Sequence, residues 1–384
     1  MNRKKILLIH TRYRSIGGED IAFINELNFL SEHFHVENVV FSNENLKLKD
    51  YFYLFFNNNR QSAKILEKKI NKFQPDFAYV HNTWFKGSLS IFKVLSKKNI
   101  PTILKLHNTR YNCTNSYFTK KHFYNFEVCK SCGQTKKSYG YFNKYYKDSY
   151  LRSFLINNYG RKYLKLLKNN KFKILVLSQF HKDYLSKFGV AKNKIFIFPN
   201  YIKKLKTKNT MNIKSNHVIY AGRISLEKGI SDLIRAWDEQ KIKDQLIIAG
   251  TGPEKFWLEK KIKFIENISY VGEITNDESI KLISSSKCVI SATQLLEGQP
   301  TLFCEASSLG IPSIYPSIGG IESFFPTNSK LSFESGNIES LKQAISHLSD
   351  DKLLKKEGER NKKFIDQYLN EENLLKIFQK ILDA

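Results

Sequence analysis

No part of this chain is long and apolar. In 384 residues no stretch approaches the ~20 consecutive apolar residues of a membrane-spanning helix. After Met1-Asn2-Arg3-Lys4-Lys5 the apolar run is only Ile6 to Ile9 before His10. That is shorter than the apolar region of a secretory leader. The expectation is a cytoplasmic protein whose membrane contact is peripheral, at the inner face of the cell membrane. Cysteine is also scarce: Cys113, Cys129, Cys132, Cys288 and Cys304. A disulfide is not expected in a reducing cytosol. Cys288 and Cys304 sit in apolar strand and helix contexts and read as core. Cys113 and the pair Cys129-Lys130-Ser131-Cys132 leave two readings open. They are simple buried thiols, or they hold a structural zinc with His122 or His107 as fourth ligand.

Acidic residues are few, and one stretch is nearly without them. The chain has 62 Lys and Arg against 36 Asp and Glu, a formal charge of +26. Residues 1–50 balance to zero, residues 51–200 carry +24 and residues 201–384 carry +2. The basic stretch is also aromatic, as in Tyr139 to Tyr150. Basic plus aromatic suits an anionic membrane surface. It equally suits single-stranded nucleic acid, or a merely solvated basic face.

What is present is alternation. Strand-like runs at Lys5–His10, Asp76–His81, Thr102–His107, Lys173–Ser178 and Lys194–Pro199 are separated by helical patterns such as Glu19–His33, Ser62–Phe73 and Phe85–Lys97. The second half repeats the scheme at Val218–Ala221, Leu246–Ala249, Ser269–Val271, Cys288–Ser291 and Ser313–Tyr315, and Lys352–Ala384 is mostly helical. Such alternation predicts an α/β chain of two Rossmann-like domains, each a parallel sheet covered by helices. The polar, Lys-rich segment Lys203–Ser215 reads as the linker. His10, His107, Ser178, Gly222 and Gly250 fall at or just past strand ends, where ligands bind in such sheets. The Gly250-Thr251-Gly252-Pro253 turn is a ligand loop or only a tight turn.

Two motifs carry chemistry. Glu297-Gly298-Gln299-Pro300-Thr301-Leu302-Phe303-Cys304-Glu305 sets two carboxylates around a predicted helix start at Pro300. Proline suits a first helical position, and the amides of Thr301 and Leu302 then have no acceptor in the helix and attract an anion. Hydroxyl-accepting carboxylates beside a phosphate cradle suit a sugar nucleotide. Upstream, Ala221-Gly222-Arg223-Ile224-Ser225-Leu226-Glu227-Lys228-Gly229 reads as strand, loop and helix start. Its Arg and Lys suit a diphosphate.

These motifs resemble those of the family 4 glycosyltransferases of the GT-B fold, retaining enzymes, here of the bacterial surface-polysaccharide type. The paired glutamates match Glu297 and Glu305. The Gly-Arg…Glu-Lys-Gly loop matches Gly222 to Gly229. The Gly-rich turn near the N-terminus matches Gly17 and Gly18, followed by Glu19 and Asp20. The likeness runs from about Lys4 to the last helix. Two departures are Pro199-Asn200-Tyr201, where Pro-Asn-Gly is common, and the tighter Gly319-Gly320-Ile321-Glu322.

The resemblance implies an acceptor-side domain over 1–202, joined by a C-terminal helix of about 365–384 that crosses back to it. It implies a nucleotide-sugar domain over 203–364, the two facing a cleft. It implies that Arg223 and Lys228 stabilise the leaving diphosphate and that Glu305 takes the ribose hydroxyls. Glu297 with Gly298, Thr301 and Leu302 would hold the donor sugar, Gly17 and Gly18 would line the same site, and His107 would reach the sugar or diphosphate. No metal or other cofactor is then expected, and the leaving phosphate accepts the acceptor's proton. The implied partners are a nucleotide sugar, a glycan or lipid-linked acceptor and an anionic membrane surface. A GT-B phosphorylase and a basic nucleic-acid-binding protein are the alternatives.

Overall fold

The computed structural model describes residues 3–14, 17–44, 48–109, 111, 149–202 and 216–384. The linker reading (203–215), the cysteines Cys113, Cys129 and Cys132 with His122, and most of the aromatic basic run lie outside the described residues.

The chain divides into two compact units, Met1–Tyr201 with Leu374–Ala384, and Ile202–Asn373. In unit 1, strands β1 (Lys5–Arg12), β2 (His35–Ser42), β3 (Phe77–Val80), β4 (Thr102–Lys105), β5 (Lys173–Val176) and β6 (Ile195–Ile197) form one sheet. Its order is β2-β1-β3-β4-β5-β6. Every pair is parallel. Around it lie helices α1 (Gly18–His33), α2 (Leu48–Phe56), α3 (Arg60–Phe73), α4 (Ser90–Lys97), α5 (Tyr150–Asn169) and α6 (Gln179–Lys187). In unit 2, β7 (His217–Ala221), β8 (Gln245–Ala249), β9 (Ile268–Gly272), β10 (Cys288–Ile290), β11 (Ser313–Ser317) and β12 (Ser332–Glu334) pair in the order β12-β11-β10-β7-β8-β9. Helices α7 (Ile230–Glu239), α8 (Lys255–Ile262), α9 (Asn276–Ser284), α10 (Thr301–Ser308), α11 (Ile338–Ser346) and α12 (Asp351–Tyr368) cover this sheet. The last helix, α13 (Glu371–Asp383), sends Leu374, Phe378, Ile381 and Leu382 into the core of unit 1. Lys173 fastens it by donating to Ile381 O at 2.7 Å.

Both sheets are covered on both faces. That is why their strands read as continuous apolar runs: Ile6, Leu7, Leu8 and Ile9 are all fully buried. The order of each sheet also places its ligand edge. From β1 the chain winds outward to β2 and then returns to the other side of β1 as β3. From β7 it winds to β8 and β9 and then returns as β10. The crevice at the carboxyl end of such a reversal is where open α/β sheets bind ligands. It lies between β1 and β3 in unit 1, and between β7 and β10 in unit 2.

Several elements differ from the sequence reading. Edge strands β2 and β12 have no counterpart in it. Helix α4 begins at Ser90 rather than Phe85, because Phe85 and Ser88 take left-handed φ values of 66° and 59°. No run of α-helix passes through such residues. The final helical segment is two helices, broken between Tyr368 at the end of α12 and Glu371 at the start of α13. His10 lies inside β1, which runs on to Arg12.

Candidate active site

The unit 2 site is assembled from the loops that follow β7 and β10. Three contacts hold these loops together. Gln294 N donates to Glu227 O at 3.0 Å. Gly229, at φ 69°, lies so close to Ala292 that a Cβ on it would fall 1.9 Å from the Ala292 carbonyl oxygen. Lys228 Nζ donates to Glu297 Oε1, which Thr293 Oγ1 also approaches at 3.4 Å. The Glu297 loop is closed from the far side by Gly320 N, which donates to Glu297 O at 2.8 Å. So the shortened Gly319-Gly320 turn acts as a latch on Glu297.

The loop after β7 is laid over the turn after β8. Gly222 N donates to Ala249 O and Ile224 N to Thr251 O, each at 3.0 Å. Tyr220 Oη donates to Arg223 O at 2.8 Å. Gly250 sits at φ 127°, with Gly222 O where its Cβ would be. The Gly250–Pro253 turn is therefore the bed on which Arg223 is presented. Arg223 is over half exposed, and its nearest carboxylate among the described residues is Glu227 at 3.7 Å. A pair this long with one exposed partner holds weakly, so the guanidinium is available to an anion.

Helix α10 begins at Thr301, with Pro300 as its N-cap. Sequence reading put Pro300 one place further in, as the first helical residue. The amides of Thr301 and Leu302 remain at the helix start; Thr301 is an exposed residue and Leu302 a half-buried one. Glu305 lies one turn on, half-buried, and burial pushes its carboxyl up to about 7. Cys304 beside it and Cys288 in β10 are buried free thiols, as expected of core residues. Arg223, Lys228, Glu297, Gly298, Thr301, Leu302 and Glu305 thus all belong to unit 2, on the loops after β7 and β10 and on α10.

Gly17, Gly18 and His107 belong to unit 1. Gly17 caps α1 and Gly18 is its first residue. Neither has a left-handed φ. Asp20 ties this turn to β1: Gly17 N donates to Asp20 Oδ2 at 2.9 Å, and Asp20 Oδ1 is 2.8 Å from His10 Nε2. Glu19 ties it to the loop after β4, accepting from Tyr13 Oη at 2.7 Å and from Asn108 Nδ2 at 2.5 Å. So the Gly17-Gly18 turn and His107 lie at the same end of the unit 1 sheet.

His107 Nε2 is 3.0 Å from His81 Nδ1, and the rings stack at 5.2 Å. Burial, followed by the positive charge of Lys105, holds His107 well below the ordinary histidine pKa. It is therefore a neutral imidazole near neutral pH. Behind it stand Glu26, Tyr79, His81 and Lys105, all buried. Sequence reading missed this group. Its signals were a lysine inside the apolar run Ile103-Leu104-Lys105-Leu106 and a third strand-end histidine, His81.

Residues 202–367 match the family described as "Glycosyl transferases group 1". The matched residues span most of unit 2. A Bacillus subtilis (strain 168) protein named as a teichuronic acid biosynthesis glycosyltransferase, TuaC, is 26% identical over 139 residues. These cover 36% of this chain and 34% of TuaC, so the likeness takes in about a third of that relative's length. Among solved structures, sucrose-phosphate synthase from Thermosynechococcus elongatus superposes with a TM-score of 0.72 at 15% identity, covering 98% of each chain. Anabaena HepE in complex with UDP and glucose superposes with a TM-score of 0.68 at 13% identity, covering 99% of each chain. At these identities the likeness is one of fold: the chain has the GT-B fold of those structures.

Proposed function

We propose that this chain is a retaining glycosyltransferase of family 4. It moves a sugar from a nucleotide-diphosphate sugar to a growing, lipid-linked glycan of a cell-surface polysaccharide. The observation that carries the reading is the pairing of Lys228 with Glu297 at the reversal between β7 and β10, inside a group 1 glycosyltransferase domain. One cation and one carboxylate, held side by side by their loops, meet the two needs of a sugar nucleotide: a diphosphate to neutralise and hydroxyls to accept.

In this reading Arg223 and Lys228 bind the diphosphate and stabilise the charge that grows on it as the glycosidic bond breaks. The amides of Thr301 and Leu302 add the helix N-terminus. Glu305 accepts the ribose hydroxyls. Glu297 and Gly298 hold the donor sugar. Gly17, Gly18 and His107 serve the same reaction from unit 1. The departing phosphate takes the acceptor's proton, so neither a protein base nor a metal ion is assigned a step. HepE was solved with UDP and glucose, which supports a nucleotide sugar as donor. The name of TuaC supports a surface polysaccharide as product. The +24 stretch supports a peripheral seat on an anionic membrane at the inner face of the cell membrane. Among the described residues no helix is long and apolar enough to cross a membrane.

A screen of nucleotide sugars, read by nucleotide release, tests the activity. Calorimetry with nucleoside diphosphates and with single-stranded RNA separates this reading from a nucleic-acid-binding protein. Binding of RNA with none of the diphosphates would overturn it.

A further inference from the structure

Helix α8 of unit 2 is apolar on both sides. Its inward side is ordinary: Leu258 is fully buried, and Ile262 and Ile265 pack with it in the core of unit 2. Its outward side carries Phe256, Trp257, Lys260, Lys261, Lys263 and Phe264. Phe256 is 81% exposed, Phe264 86% and Trp257 38%. Lys263 keeps right-handed helical φ and ψ, so the helical pattern reaches Phe264. At 3.6 residues per turn these six positions fall within one half of the circumference. Apolar residues scattered singly over a surface need no explanation, but a cluster on one face does.

The charge on this face has one sign. The only acidic residue of α8, Glu259, lies at the border of the face and pairs with Lys255 at 3.8 Å. Residues 255–264 carry four lysines and that one glutamate, a charge of +3, whereas residues 201–384 as a whole carry +2. The small basic excess of the second half is thus gathered here. Lys263 Nζ lies 5.8 Å from the centre of the Phe264 ring, so cation and ring stand side by side. A protein partner would have to offer a pocket for each projecting ring and a carboxylate for each lysine between them. A fluid bilayer closes round rings of any arrangement and presents anionic headgroups where lysine stems reach out beside them.

We propose that the outward face of α8 is a membrane contact of unit 2: Phe256, Trp257 and Phe264 enter the headgroup layer of an anionic phospholipid bilayer, and Lys260, Lys261 and Lys263 meet its phosphates. It rests on the peripheral membrane seat proposed above. The +24 stretch supplies the attraction that brings the chain to the surface, and α8 adds an inserted contact that does not belong to unit 1.

Trp257 is a built-in reporter. The chain has three tryptophans, and the other two, Trp84 and Trp237, are buried. The full chain is mixed at low salt with phosphatidylglycerol–phosphatidylcholine vesicles whose acyl chains are brominated near the headgroup. Tryptophan emission should be quenched, and the quenching should vanish in Trp257→Phe while flotation persists. Phe256→Ser with Phe264→Ser should raise the lipid concentration at half-saturation about fivefold or more, because it removes insertion. Both positions are exposed, so Tm should be unchanged. Flotation of the native chain without quenching of Trp257 would overturn the α8 contact and leave the membrane seat standing. A native chain that does not float would overturn both. Quenching that persists undiminished in Trp257→Phe would place the contact elsewhere. A lipid-free dimer that Phe256→Ser with Phe264→Ser dissolves in light scattering would make the face an interface between copies of this chain, and would overturn the lipid as occupant.

Discussion

Lys228 and Glu297, 69 residues apart in sequence, are ion-paired. The two residues assigned to opposite ends of the donor, diphosphate and sugar, therefore act on each other first. Each sets the other's position, and a donor must enter without leaving either charge stranded.

Non-additivity follows. Lys228→Ala and Glu297→Gln should each lower turnover by about a hundredfold or more, as for other lost charge-stabilising groups. The double variant should be little worse than the poorer single one, because contacting residues couple. Arg223→Ala, whose only close carboxylate among the described residues is the distant Glu227, should combine with either nearly additively. Turnover at saturating donor decides it. Near-normal turnover in Lys228→Ala or Arg223→Ala would remove the leaving-group role.

Glu305 makes the site pH-dependent. Its carboxyl titrates at about 7 when folded, against an ordinary 4.5. A carboxylate that must accept ribose hydroxyls works best when ionised, so nucleotide affinity should rise with pH through about 7, by about tenfold between one unit below and one unit above. Stability should run the other way. The folded state holds this proton more tightly than the unfolded one, so the stabilising contribution is complete below the unfolded pKa and is lost as pH rises through the folded one. In Glu305→Gln both dependences should flatten. Binding that is flat in the native chain from pH 6 to pH 8 would show that Glu305 does not meet the nucleotide.

Gly250 and Gly18 separate scaffold from site. Gly250→Ala meets the Gly222 carbonyl and a left-handed φ. It should cost at least about 1–3 kcal/mol in backbone strain, and the Arg223 loop should lose its bed. A Cβ on Gly18 meets nothing within 4 Å. Gly18→Ala should keep or raise Tm, since it restricts the unfolded chain. Any loss of turnover in it is then a local effect at the α1 turn. Thermal unfolding beside donor turnover distinguishes the two, and a destabilised Gly18→Ala would contradict the open space around it.

The motifs of unit 2 were legible because each is local: Arg223 to Lys228, and Glu297 to Glu305, each fit within one loop and its flanking element. The central strands were legible because burial on both faces leaves continuous apolar runs. Strand β2 was not. His35, Glu37 and Asn38 are polar, and at the sheet edge the pattern His35–Ser42 is only partly buried. The extra residues given to α4 reflect an apolar pattern overridden by the left-handed Phe85 and Ser88. Tyr201, a departure from the common glycine, stacks on Phe29 at 4.8 Å and so belongs to the core of unit 1. The Glu26–Lys105 pair spans 79 residues. No periodicity or motif joins two such positions, so only the fold brings them together.

The basic, aromatic stretch makes the last prediction. Lys136, Lys137, Lys144 and Lys147 lie outside the described residues, but their charge does not depend on their fold. Near an anionic surface each is worth about 1 kcal/mol, so four of them suffice for reversible docking. The described part of unit 1 adds apolar anchors: Phe52, Phe55 and Phe56 on α2 and Leu151 on α5 are all exposed. Exposed aromatic and apolar side chains suit the interfacial layer of a bilayer. In vesicle flotation the native chain should rise with anionic vesicles at low salt and release as salt shortens the screening length. Changing the four lysines to Gln should abolish flotation and leave nucleotide affinity unchanged. Phe52→Ser with Phe56→Ser should weaken flotation while keeping its salt dependence, because it removes insertion and leaves the charge. If the native chain ignores anionic vesicles, or binds neutral and anionic ones alike, the basic face is only a solvated surface and a lipid-linked acceptor loses its main support.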